Sequence, residues 1–139
     1  MKLAWIMFPA LCALGTAALS GCSVALEPEI VLPREETGSV TVNWLVAGSS
    51  HPLACARFGA EEMELVVYDE DRRPVARETA SCGSFSISLS LPEGRYTADV
   101  RLLGAGQRSA STSRTLEDID IVAGTDLAIN VDFPADSLR

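Results

Sequence analysis

From Ser39 onward the chain alternates apolar and polar residues with a period of two, one segment after another. Ser39 to Ala47, SVTVNWLVA, puts Val40, Val42, Trp44 and Val46 on one face and Thr41 and Asn43 on the other. A strand turns successive side chains to opposite faces, so this pattern predicts a half-buried strand with Trp44 in the core. Glu64 to Asp69 (ELVVYD) predicts a second strand, and Val75 to Thr79 its return after the polar turn Asp69-Glu70-Asp71-Arg72-Arg73-Pro74. Phe85 to Leu91 alternates most cleanly, with four apolar residues on one face and Ser86, Ser88 and Ser90 on the other. Pro92-Glu93-Gly94 supplies turn chemistry. Arg95 to Leu103 then directs Tyr96, Ala98, Val100 and Leu102 inward. Leu116 to Val122 follows, with Ile119 and Ile121 facing in, and Leu127 to Phe133 ends at Pro134.

Seven short strands separated by turn signals, with no long amphipathic helix, predict an all-β fold: a seven-stranded antiparallel β-sandwich. Pro52 to Met63 is read as either a short helix or a structured loop, and Gly59 weakens the helix. The expected domain spans residues 38–134, with 135–139 as a C-terminal tail.

The stretch FSISLSLPEGRYTADV, Phe85 to Val100, resembles the Leu-Pro-x-Gly-x-Tyr hairpin of transthyretin-like and carboxypeptidase-regulatory-like domains. Ile121-Val122-Ala123-Gly124 before a final strand is similar to them as well. The resemblance covers about half of the exported part of the chain. It implies a seven-stranded, Ig-like or transthyretin-like sandwich, of a kind that serves as a non-catalytic module in cell-surface proteins. It names no ligand.

The segment before Ser39 has a different character. Met1-Lys2 is a short basic start, Leu3 through Leu19 is almost wholly apolar, and no charged residue follows until Glu27. This is the pattern of an export signal over residues 1–21. An uncleaved anchor is the alternative, because about 20 apolar residues suffice to span a bilayer. Leu19-Ser20-Gly21-Cys22 separates the two readings: it resembles the lipobox of bacterial lipoproteins. The resemblance implies cleavage between Gly21 and Cys22 and a diacylglycerol on the Cys22 thiol. It also implies a third acyl chain on the new α-amine. One acyl chain holds a protein only marginally, at about 0.8 kcal/mol per buried CH₂, and stable anchoring takes two signals. Ser23 follows the cysteine where aspartate would favour retention at the inner membrane, so the resemblance points to the outer membrane. Residues 22–37 then read as an extended tether rich in Pro and Glu, from which Glu29-Ile30-Val31-Leu32 alternatively docks as an edge strand.

Charge narrows the partners. The 139-residue chain carries −8, and Lys2 is its only lysine and the only charged residue before Cys22. The remainder therefore sets ten Arg against nineteen acidic groups. Such a chain lacks the basic stripe that nucleic acid requires, and it has no electrostatic hold on anionic lipid. The expected membrane partner is a lipid bilayer reached through acylated Cys22, with an envelope protein or glycan as the further partner.

Two cysteines remain after Cys12 leaves with the leader and Cys22 is acylated. Export places Cys55 and Cys82 in an oxidising compartment, where a Cys55–Cys82 disulfide is expected; two buried free thiols are the alternative. His51 is the single histidine. With two cysteines it does not complete a zinc shell, so no metal site and no cofactor are expected. The acidic runs Asp69-Glu70-Asp71 and Glu117-Asp118-Ile119-Asp120 lack the spacing of a calcium loop and read as solvated turns, with weak cation binding as the alternative. Tyr96 reads as a buried ring with a bonded hydroxyl. No nucleophile elbow, metalloprotease helix or phosphate loop occurs. The expectation is a non-enzymatic envelope binding or structural module, with the sheet face Thr41, Asn43, Ser86, Ser88 and Ser90 as one candidate surface. The alternative is an enzyme or small-ligand carrier with a site in the loops near His51 and the acidic turns.

Overall fold

The computed structural model describes residues 35–139. The leader, Gly21, Cys22 and most of the tether lie outside the described residues. Seven strands occur in the described part: β1 (Thr37–Val46), β2 (Glu62–Tyr68), β3 (Pro74–Ser81), β4 (Ser86–Pro92), β5 (Gly94–Leu103), β6 (Arg114–Ile121) and β7 (Asp126–Phe133). One short helix, α1 (Pro52–Arg57), follows β1. It starts where proline suits a first helical turn and His51 caps it: Nδ1 of His51 accepts the main-chain N–H of Leu53 at 3.2 Å.

The strands form two sheets, ordered β4-β1-β7 and β3-β2-β5-β6. Alternation dictates the core between them. Val40, Val42, Trp44 and Val46 of β1 are buried with Met63, Leu65 and Val67 of β2, and with Ala98, Val100 and Leu102 of β5. Ile119, Ile121, Val131 and Phe133 complete it from β6 and β7. Outside β6, the inward-facing residues of the strands are those a period-two pattern selects, and the fold is an all-β sandwich.

The expectation of a wholly antiparallel arrangement is corrected. β1 pairs β4 antiparallel but β7 parallel, with Val40 opposite Leu127 and Val46 opposite Phe133. The reason lies in the topology. β1 sits in the middle of its sheet, between β4, which runs against it, and β7, which runs with it, so one ladder is antiparallel, the other parallel, and the three-stranded sheet is mixed. The close start of β1 against the β6–β7 turn requires Gly38. A Cβ there would lie 2.3 Å from the Val122 carbonyl oxygen.

Strand β6 contains an irregularity that exposes its logic. Leu116, Ile119 and Ile121 all face inward, a spacing of three and then two, which a regular strand cannot deliver. The register against β5 shifts between Tyr96 and Ala98, and Asp118 adopts a left-handed φ of 56° to absorb the extra residue. The run Glu117-Asp118-Ile119-Asp120 is therefore strand, not turn. Ala135–Ser137 forms a 3-10 helix, and residues 135–139 lie against the segment before β6. There Thr112 N–H donates to the Ser137 carbonyl and Arg139 N–H to that of Ala110.

Candidate functional site

The outer face of the four-stranded sheet carries the most distinctive chemistry. Alternation turns Glu64, Val66 and Tyr68 of β2 outward, flanked by Arg77 of β3 and by Arg95, Thr97, Asp99 and Arg101 of β5. The run MELVV, Met63 to Val67, nonetheless remains buried through five consecutive positions of β2. Val66, with Arg77 and Asp99 as its cross-strand partners, is only 5% exposed.

Glu64 is the exceptional member, because its carboxylate side chain is 7% exposed. An ionised group so deprived of water requires partners. Two guanidinium groups supply them. Arg77 Nη1 donates to Oε1 and Arg101 Nε donates to Oε2, each at 2.5 Å. Arg101 stands directly opposite Glu64 in the β2–β5 ladder, and Arg77 reaches it diagonally from β3. Both arginine side chains remain open to solvent, at 62% for Arg77 and 43% for Arg101.

This triad borders a hollow of about 210 Å³ lined also by Tyr68, Asp99 and Ser113. A second hollow of about 180 Å³ shares Tyr68 and Asp99 and adds Arg72, Thr97 and Thr115. A third shares Arg72 and Thr97 and extends to Arg95, Tyr96 and Asp118. The shared linings set these hollows side by side along the outward row of β5, as a grooved surface. Within it Asp99 accepts the Thr115 hydroxyl at 2.7 Å and, among the described residues, pairs with no cation.

The residues singled out from sequence fall elsewhere. Cys55 and Cys82 form a disulfide that ties α1 to the segment after β3. Gly21 and Cys22 lie outside the described residues. His51 caps α1, whereas the turn Asp69–Arg73 leaves the opposite end of β2, so the structure does not bring His51 and that acidic turn together. In the turn, the main-chain N–H of Arg73 holds the Asp69 carboxyl below its usual range, with burial opposing and the Arg73 guanidinium assisting. Asp71 pairs with Arg73 as well. Tyr96 is half-buried and its hydroxyl donates to the Pro92 carbonyl at 3.0 Å. Burial pushes its phenol up, with Glu35 and Asp69 adding to the effect.

Thr41, Asn43, Ser86, Ser88 and Ser90 do gather on the outer face of the three-stranded sheet. That face satisfies many of its own polar groups: Thr41 bonds Ser88 at 2.7 Å, Asn43 bonds Asn130 at 3.4 Å and Ser39 bonds Asp126. The Glu64 triad and Asp99 escaped sequence reasoning. Their signal was an acidic residue opening the apolar run of β2, with charge at alternate positions of β5.

No family model matches the chain, and no curated protein matches it. Among solved structures the chain is similar to the Bacillus anthracis TIE protein, at 15% identity and a TM-score of 0.46. The match covers 70% of this chain and 16% of that one, so the chain spans about a sixth of that protein's length.

Proposed function

We propose that the chain is a bacterial lipoprotein, anchored through acylated Cys22 at the outer membrane, whose sandwich is a non-enzymatic binding module of the envelope. The observation that carries this reading is the lipobox Leu19-Ser20-Gly21-Cys22 behind a basic start and an apolar run. The Cys55–Cys82 disulfide supports it, because such a bond persists in an oxidising compartment. We read the domain as transthyretin-like or carboxypeptidase-regulatory-like. The turn Pro92-Glu93-Gly94, with the Tyr96 hydroxyl returning to the Pro92 carbonyl, supports that finer reading. The groove on the four-stranded sheet is the surface we assign to recognition, since it gathers charged groups that the fold does not use in its core.

The test is the intact mass of membrane-extracted, non-reduced protein, beside a Cys22→Ser variant. The expected mass starts at Cys22, gains a diacylglycerol and an acyl group, and lacks two hydrogens for the disulfide. The variant is expected to leave the membrane fraction unacylated. An unmodified full-length chain, or membrane retention indifferent to Cys22→Ser, overturns the reading.

A further inference from the structure

We propose that Arg77 and Arg101, braced by Glu64, bind the carboxylate of a free zwitterionic dipeptide whose ammonium group faces Asp99. The inference deepens the binding-module reading and rests on it, but not on the lipid.

The argument begins with charge balance. One guanidinium is enough to neutralise Glu64, and the structure supplies two. The triad therefore carries a net positive charge on a chain that is −8 as a whole. Each arginine gives one N–H to Glu64 and keeps others, on side chains 62% and 43% exposed. A planar guanidinium matches a carboxylate with parallel N–H donors. Glu64 fixes both heads, so less freedom is lost when a ligand arrives.

Neighbouring groups narrow the ligand. Asp99 lies two residues before Arg101 on the same face of β5, about 7 Å away by strand geometry. It lines the same hollow and has no cation of its own among the described residues. A monoanionic carboxylate balances the triad, while a dianionic phosphate would overfill it and face Asp99. A ligand with carboxylate and ammonium close together satisfies both ends. The volume of about 210 Å³ suits a free dipeptide, not a folded partner.

The experiment is an NMR titration of the full-length, detergent-extracted protein, following the Nε–Hε signals of Arg77 and Arg101. The probes are alanyl-alanine, its C-terminal amide, N-acetyl-alanyl-alanine and inorganic phosphate. Alanyl-alanine is expected to give saturable shifts, and the amide none. N-acetyl-alanyl-alanine is expected to bind about fivefold more weakly, the weight of one exposed ion pair. Asp99→Asn should weaken alanyl-alanine by the same factor and leave the acetylated peptide unchanged. Arg77→Gln should abolish binding while the fold survives, because Arg101 still neutralises Glu64. No shift with alanyl-alanine means that the triad serves the fold alone, and it overturns the proposal. So does an amide or phosphate that binds as well as the free dipeptide, or an Arg77→Gln protein that binds normally. Unacylated protein would bind equally, so failure here and failure of the mass test are separate results.

Discussion

The indole Nε1 of Trp44 donates a 3.0 Å hydrogen bond to the main-chain carbonyl of Cys82. Trp44 is the bulkiest fully enclosed residue of β1, and Cys82 is half of the disulfide. One side chain thus joins the sandwich core to the cross-linked segment that holds α1. Trp44→Phe removes the bond and leaves a void. The expected cost is about 2 kcal/mol, from one lost hydrogen bond and the unfilled volume. Urea denaturation of the two proteins checks it.

The disulfide closes a loop of 27 residues. In the chain-entropy account, such a loop contributes about 3.5 kcal/mol by restricting the unfolded chain. The double change Cys55→Ala and Cys82→Ala should lower stability by about that amount. Both cysteines are buried, at 5% and 1% exposure, so reductant should act on the native protein only as fast as the domain opens. Thiol titration in native buffer and in denaturant separates the two rates.

The Glu64 triad predicts non-additivity. Arg77→Gln or Arg101→Gln alone leaves Glu64 one partner, and each should cost about 0.5–1 kcal/mol. The double variant leaves a buried carboxylate with neither, at about 3 kcal/mol or more. The excess over the sum of the singles is the coupling that a double-mutant cycle reads. Strictly additive costs would show that Glu64 does not depend on the two arginines.

Tyr96 makes the fold sensitive to alkali. Burial, and then Glu35 and Asp69, raise its phenol above the ordinary 10.0. The unfolded chain ionises first as pH rises, so the folded state binds more protons there and stability falls from pH 10 up through the raised value. Tyr96→Phe should remove this slope while costing about 1 kcal/mol at neutral pH through loss of the Pro92 bond. Denaturation midpoints from about pH 8 to about pH 11, with phenolate absorbance alongside, test both parts.

Gly38→Ala is expected to cost about 2–3 kcal/mol, because the added methyl would meet the Val122 carbonyl oxygen at 2.3 Å and backbone must move. Gly124→Ala, with φ of 70° but open space around its Cβ, should lose less, about 1 kcal/mol. Thermal melts of the pair distinguish steric from conformational cost.

Much of the sandwich was legible because alternation is a local signal. Val40, Val42, Trp44 and Val46 declare their face within eight residues, as do Ser86, Ser88 and Ser90. Pairing between distant strands carries no such signal. Nothing local in Ser39–Ala47 states that its neighbour is Asp126–Phe133, so the parallel ladder was missed. The bulge at Asp118 was written in the spacing of Leu116, Ile119 and Ile121, but a regular period hides a single extra residue. The groove was least legible. Glu64, Asp99 and Arg101 look like ordinary solvated charges until the register sets them side by side.

The parallel ladder between β1 and β7 has a mechanical consequence. The chain enters β1 at Thr37 and leaves β7 at Phe133, at opposite ends of that ladder. A pull between the two ends of the domain slides these strands past one another instead of peeling them apart. The bonds from Ser39–Asp126 to Val46–Phe133 then resist together, and no single pair yields first. Had the two neighbours been antiparallel, the same pull would have opened them one rung at a time.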